Sequence, residues 1–168
     1  MNDYVQGYSS DTSLFLLQRL EYGCEGKSYL SRMENELRID SEEISKMSAL
    51  THAILDGTDY DFIRFKRRGN FKFISETLNS INCLNAEKYY DADCVPMVYP
   101  LVVENDSLLD KLLSIKHFQG HWWSYLLKEL PENSFEYWLS RYIIPITIDQ
   151  RYGKDELGEL TQYILSNI

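Results

Sequence analysis

Two short apolar segments, each interrupted by proline, most strongly constrain what this 168-residue chain can fold into. Residues 95–103 (VPMVYPLVV) are rich in β-branched and aromatic side chains and carry no charge, which predicts a strand. Residues 143–148 (IIPITI), with Pro145 among them, predict another short extended piece. Because proline cannot donate to a sheet ladder, Pro96 and Pro100 favour an edge strand or a bulge. The sheet is therefore expected to be small.

The rest of the chain repeats apolar residues at helical spacing. Three helices are predicted in the first half, over residues 26–39, from a cap at Asp40-Ser41 to Asp56-Gly57, and from Thr58-Asp59 to Leu78. Three more are predicted in the second half, around residues 108–113, 135–139 and 153–168. Residues 117–123 are predicted to be a further strand or an extended loop.

Strands separated by helices predict an α/β, or α+β, fold in which helices pack on a small sheet. The one plausible domain boundary lies near residues 39–41. It separates an N-terminal helical arm, residues 1–40, from the remaining residues 41–168.

Charge and hydropathy exclude two classes of partner. With 17 basic and 26 acidic residues the formal net charge is −9, which repels phosphate backbones, so no nucleic-acid binding is expected. The short basic cluster at residues 64–68 is expected to be a solvated helix face. Apolar runs fall short of the roughly 18 residues that span a membrane, so a soluble protein is expected.

The cysteines predict a reduced, cytoplasmic setting. Cys24, Cys83 and Cys94 are odd in number and form no CxxC pair. Residues 1–4 lack the basic region and apolar run of a signal peptide.

Familiar catalytic and metal motifs are missing or incomplete. Gly26-Lys27-Ser28 fails as a phosphate loop because Glu21 stands where a glycine is required, and no GxSxG occurs. His117 and His121 would share a face only on a helix, and their neighbours favour an extended path, so no metal site is predicted. The acidic pair Asp91 and Asp93 predicts a solvated turn.

Residues 143–157 (IIPITIDQRYGKDEL) are a more specific feature. They combine an extended apolar segment, a polar turn over residues 149–153, and carboxylates at a helix start. This segment resembles the closing signature of DegT/StrS-family aminotransferases, which make amino sugars with pyridoxal 5′-phosphate (PLP). Two further segments are similar to that family and come in its order: residues 67–71 (RRGNF) and 95–103. The resemblance covers roughly residues 48–168.

The resemblance implies the fold of the C-terminal subdomain of fold-type I PLP aminotransferases, but not the whole catalytic apparatus. Such enzymes need a lysine that forms a Schiff base with PLP, and the family places it in a larger N-terminal domain. None of the nine lysines here lies in a comparable segment. Two other departures are Ser124, where proline is usual, and Gly69, where a helix former is usual. The chain is therefore expected to bind no cofactor alone and to be catalytically incomplete, although the complete family enzyme uses PLP.

The resemblance also suggests partners and contact residues. The chain would contribute to an active site or assembly as a homo-oligomer or with a complementary PLP-binding domain, and a nucleotide-sugar substrate is possible in the complete enzyme. The candidate contact residues are His121, Trp122, Trp123, Arg151 and Tyr152. The aromatic rings could pack on a sugar ring or base and Arg151 could pair with phosphate. Alternatively, the tryptophans fill the core on opposite faces of a strand, and Arg151 pairs with Asp149 or caps a helix.

A second hypothesis is a non-catalytic interaction or dimerisation module derived from such an enzyme. An exposed apolar helical face would drive association, with residues 1–39 dimerising the chain or binding a partner. A third is an independent enzyme whose pocket is unrelated to PLP.

Overall fold

The computed structural model describes residues 4–23, 26–91, 93–117 and 119–168, except for the side chains of residues 10 and 11. Cys24 and Phe118, which entered the sequence predictions, lie outside the described residues. The chain divides into two compact units, unit 1 (Met1–Thr58) and unit 2 (Asp59–Ile168). The predicted domain boundary after Asp40 falls inside unit 1, and that division into domains stays a prediction.

Unit 1 contains α1 (Ser10–Tyr22), α2 (Lys27–Ser41) and α3 (Ala49–Asp56). The helix predicted over residues 26–39 is confirmed as α2, but the predicted cap at Asp40-Ser41 is wrong. The chain leaves the helix after Ser41 and re-enters one only when the Ser48 hydroxyl accepts the Thr51 amide at 3.1 Å. Between them, the Lys46 amide donates to the Val5 carbonyl at 2.7 Å, which fixes an extended path that a helix would not allow.

No apolar side chain is buried among the described residues of unit 1. Among its described residues only Ser28 is buried, whereas Leu20 is 85% exposed, Ile44 77% and Leu37 69%. Exposed leucines occur singly on most proteins, but a unit of three helices normally buries one stripe of each helix. The apolar residues of this unit are therefore left in contact with solvent.

Unit 2 is built on a long helix and a two-stranded sheet. Helix α4 (Tyr60–Leu78) begins where the Asp59 carboxylate accepts the Phe62 amide at 2.9 Å, as predicted, and continues through Gly69. Strands β1 (Val98–Val102) and β2 (Ile143–Thr147) pair antiparallel, and Pro100 lies opposite Pro145. In a two-stranded sheet both strands are edges, so each tolerates its proline.

Shorter elements complete unit 2. They are a 3₁₀ turn (Ala86–Tyr89), α5 (Leu108–Ser114), a second 3₁₀ turn (Ser124–Lys128), α6 (Phe135–Tyr142) and α7 (Lys154–Leu165). The described residues of 117–123 form no strand, so the extended-loop alternative is the one that fits. Trp123 has a left-handed backbone with φ of 58°, which breaks any regular strand before the second 3₁₀ turn.

The apolar core of unit 2 lies between α4, α5, α7 and the sheet. Among the described residues it contains a cluster of 14 buried ones, including Ile74 and Leu78 of α4, Tyr99 of β1, and Ile144 and Ile146 of β2. The chain is thus α+β at a coarse level, with an antiparallel rather than a parallel sheet. Across the part of the chain that the structure describes, no helix is both long and apolar enough to cross a membrane.

Candidate functional site

A polar junction joins α4 to the turn that follows β2, and Asn70 is at its centre. The Asn70 side-chain amide donates to the backbone carbonyls of Ile148, Asp149 and Tyr152, at 3.2, 3.0 and 3.2 Å. Because the amide has two hydrogens, these three acceptors share them. Asn70 is 5% exposed, so the bonds are shielded from water. The amide holds the whole turn against the helix.

Asn70 faces the core because of its place in the helical register. It lies one turn before Ile74 and two turns before Leu78, both of which are fully buried. A buried amide must find partners, and the turn supplies carbonyls that no strand or helix uses.

Arg67 extends the junction to the segment that enters β1. Its guanidinium donates from Nε to Gln150 Oε1 at 3.3 Å, and from Nη1 to the carbonyls of Pro96 and Met97 at 3.3 and 3.4 Å. Arg67 and Asn70 lie one turn apart on α4. The junction therefore gathers residues from all three segments that carry the family resemblance.

Asp149 and Arg151 form a tight ion pair at the edge of the junction. Arg151 donates from Nη2 to Asp149 Oδ2 at 2.6 Å and from Nε to Oδ1 at 3.0 Å, and its backbone amide also donates to Oδ1 at 2.9 Å. These hydrogen bonds lower the pKa of Asp149, against a smaller opposite effect of burial, and raise the pKa of Arg151. The Asp149 side chain is 11% exposed and that of Arg151 73%.

Replacing Arg151 with glutamine is expected to raise the pKa of Asp149, because the side-chain hydrogen bonds that depress it are lost. A depressed folded-state pKa gives stability above the ordinary aspartate pKa of about 4, and that stability disappears as the pH falls through the folded value. With Arg151 largely exposed, we expect a loss of up to about 1 kcal/mol near neutral pH that vanishes in acid. NMR titration of the Asp149 carboxyl carbon measures the change in pKa. Urea unfolding at neutral pH and in acid measures the change in stability.

The control for that experiment is Arg141→Gln. Arg141 makes a similar exposed pair with Asp106, at 2.9 Å, elsewhere in unit 2. Its loss should leave the titration of Asp149 unchanged. An Asp149 titration that does not move in Arg151→Gln would contradict the assigned cause.

Of the predicted contact residues, Arg151 and Tyr152 are only partly free to bind a ligand. Arg151 reaches solvent but is already paired with Asp149, one of the alternatives that the sequence left open. Its guanidinium also lies 5.7 Å from the Tyr152 ring centroid. Tyr152 is half-buried against the core, and its carbonyl accepts from Asn70. An anion at Arg151 would compete with the carboxylate of Asp149.

His121, Trp122 and Trp123 lie in the loop beside β2. His121 Nδ1 donates to the Ile143 carbonyl at 3.0 Å, and since a carbonyl only accepts, this bond places a proton on Nδ1. The two indole rings are tilted by 52° with centroids 5.4 Å apart, and Trp123 is 43% exposed. The alternative that both fill the core on opposite faces of a strand is wrong, because the loop turns at this point.

The structure does not bring the two groups of predicted residues together. His121 bonds to the first residue of β2, whereas Arg151 and Tyr152 follow its other end. Five strand residues span roughly 14 Å, and no contact is seen between the two groups among the described residues. They are therefore not one binding constellation within this chain.

No group of three or more metal-ligating side chains occurs among the described residues. Burial lowers the pKa of His117, so this ring favours its neutral form. Asp91 accepts the amides of Asp93 and Cys94, each at 2.9 Å, in the predicted turn.

The residues present do not fit PLP by themselves. A Schiff-base lysine is held in a pocket that excludes water. All nine lysines are described, and none is buried. Lys72, which lines a cleft, has a 77% exposed side chain 3.9 Å from Glu76. No catalytic step through PLP is therefore assigned to this chain's residues.

Sequence reasoning did not select Arg67 or Asn70 as site residues, although the RRGNF segment carried part of the resemblance. The signal was a polar residue in register with the buried positions of α4. An amide at such a position predicts a specific acceptor, but only the folded chain shows which one. Comparison of the chain with protein-family models, with curated proteins and with solved structures found no match.

Proposed function

We propose that this chain acts as a C-terminal domain of the DegT/StrS aminotransferase type and works with another chain that supplies the PLP-binding lysine. It would be catalytically incomplete alone. Its role would be to complete an active site or an assembly for amino-sugar formation, with a nucleotide-sugar as a possible substrate. Cytoplasmic location forms part of this proposal.

The observation that carries the proposal is the polar junction. Three short segments, far apart in the chain, resemble the family. Arg67 and Asn70 belong to one of them and hydrogen-bond directly to the other two. Chance similarity of three short segments gives no reason for such contacts. A shared fold does, because family-typical residues often maintain the same junction.

The need for a partner is supported by unit 1. Its described apolar side chains are unburied, and an accumulation of exposed apolar residues is typical of sites of association. The same observation favours the second candidate function, a non-catalytic interaction or dimerisation module. The two candidate functions differ in their partner: only the aminotransferase role requires a partner that carries the PLP-binding lysine.

The test is capture of the tagged full-length chain from its own cells, followed by borohydride reduction and peptide mass spectrometry. We expect a co-purifying polypeptide with one pyridoxyl-lysine, and no dominant pyridoxyl-lysine in this chain. Leu20→Glu, at an 85% exposed position of α1, should reduce its recovery about tenfold. The matched control Leu165→Glu, on α7 of unit 2, should leave the recovery of that polypeptide unchanged.

Each other outcome decides between the candidates. A stoichiometric pyridoxyl-lysine in this chain would contradict its incompleteness. A partner without that adduct, or a dimer of this chain dissociated by Leu20→Glu, would favour the interaction module. A chain that sediments as a monomer at every concentration and captures no partner would contradict both.

A further inference from the structure

A cleft along one side of α4 combines cationic and aromatic side chains. Its volume is about 620 Å³, and it lies entirely within unit 2. Its principal lining residues are three cations and three aromatic rings: Arg64, Arg68, Lys72, Phe65, Phe71 and Tyr90. The cations follow one another at intervals of four residues, so they share a face of the helix. The polar junction uses other side chains of α4.

Among the described residues, two cations of the cleft lie near a carboxylate and the third, Arg68, does not. Arg64 lies 3.7 Å from Asp61, Lys72 lies 3.9 Å from Glu76, and the Glu87 carboxylate accepts the Ser75 hydroxyl at 2.6 Å. Arg68 is half-buried, and no hydrogen bond or ion pair to it is seen among the described residues. The lining has three cations against two carboxylates, on a chain whose formal net charge is −9. A half-buried guanidinium in this position favours an anionic ligand.

The rest of the cleft suits a flat apolar group. Phe71 and Tyr90 stack with ring centroids 4.4 Å apart and planes 17° from parallel, and Phe65 is 75% exposed. Gly69 lies between these groups. Apart from the adjoining residues and the backbone of α4 itself, no heavy atom of the described residues comes within 4 Å of the position that a Cβ would occupy. Glycine is a poor helix former, so its presence in mid-helix leaves open room beside Arg68.

We propose that this cleft binds a small aromatic carboxylate. The carboxylate pairs with the guanidinium of Arg68, and the flat ring packs against the aromatic side chains. This binding activity is separate from the proposed role in transamination and does not depend on it.

The test uses naphthoate, neutral naphthalenemethanol and acetate as probes of the isotope-labelled full chain by NMR. Naphthoate should shift the amide signals of residues 64–72 and 87–90 and bind about tenfold more tightly than the alcohol. Acetate should leave these signals in place. Arg68→Met should weaken naphthoate about tenfold and abolish its advantage over the alcohol. Lys66→Met, which removes a cation outside the cleft lining, is the matched control and should bind as the unmodified chain does.

A second pair of variants tests the cavity itself, independently of charge. Gly69→Met places a long side chain in the open space and should abolish binding of both aromatic probes, while Gly69→Ala should retain it. The proposal is overturned if naphthoate shifts signals elsewhere, if acetate binds equally well, or if Arg68→Met and Gly69→Met both bind naphthoate normally.

Discussion

Replacing Asn70 with alanine is expected to lower the free energy of unfolding of unit 2 by about 2–3 kcal/mol. The variant removes the side-chain donor to the carbonyls of Ile148, Asp149 and Tyr152 in a largely buried part of the protein, and among the described residues only the Asp149 carbonyl keeps another donor, the Tyr152 amide at 3.3 Å. Leaving buried polar groups unsatisfied costs more than the net value of the bond itself. Alanine's better helix propensity offsets only about 0.5 kcal/mol.

Urea unfolding followed by tryptophan fluorescence measures this effect. All three tryptophans lie in unit 2, so the signal reports that unit. The matched control is Asn79→Ala, at the C-terminal end of α4, where no side-chain hydrogen bond to another described residue is seen. It should change the free energy by less than about 0.5 kcal/mol. Equal effects of the two substitutions would contradict the role given to Asn70.

Replacing Ile146 with alanine is expected to have the largest effect, a loss of about 3–4 kcal/mol. Ile146 lies within β2, opposite Tyr99, and its side chain is fully buried in the core. The substitution removes apolar burial and leaves a cavity that the proline-bearing strands cannot readily close. The same urea experiment measures it.

Ile115→Ala is the matched control, because Ile115 follows α5 in the same unit and is 46% exposed. We expect a loss below about 1 kcal/mol there. If Ile146→Ala were no more destabilising than Ile115→Ala, the result would contradict the burial of the Ile146 side chain in the core.

Local elements were predictable where one local force dominates. Apolar spacing predicts α4, and the Asp59 carboxylate predicts its start, because both act within a few residues. The strands followed from β-branched residues, and their prolines predict sheet edges correctly. The start of α3 was missed because Ser41 and Ser48 offer the same local capping chemistry. The pairing of residue 46 with residue 5 keeps residues before Ser48 out of the helix, and this contact is not local in sequence.

The candidate site was less predictable than the elements that hold it. His121 and Arg151 were both selected from sequence, yet they lie near opposite ends of β2. The partner of Arg151 was foreseen as an alternative, since Asp149 is two residues away. The sequence could not show that Arg68 has no partner among the described residues, or that space lies beside Gly69, because each depends on what α4 packs against.

The sequence by itself determined most of the helices, though not α1 or the start of α3, together with the two proline-bearing strands, the acidic charge and the three segments that resemble one enzyme family. Helix periodicity, β-branching and charge are properties of neighbouring residues, so they do not depend on the tertiary structure. The tertiary structure decided that Pro100 faces Pro145, and that Asn70 binds three carbonyls some 80 positions away along the chain. Such contacts form only when burial forces a polar group to find a partner, and the chain's path then decides which partner is within reach.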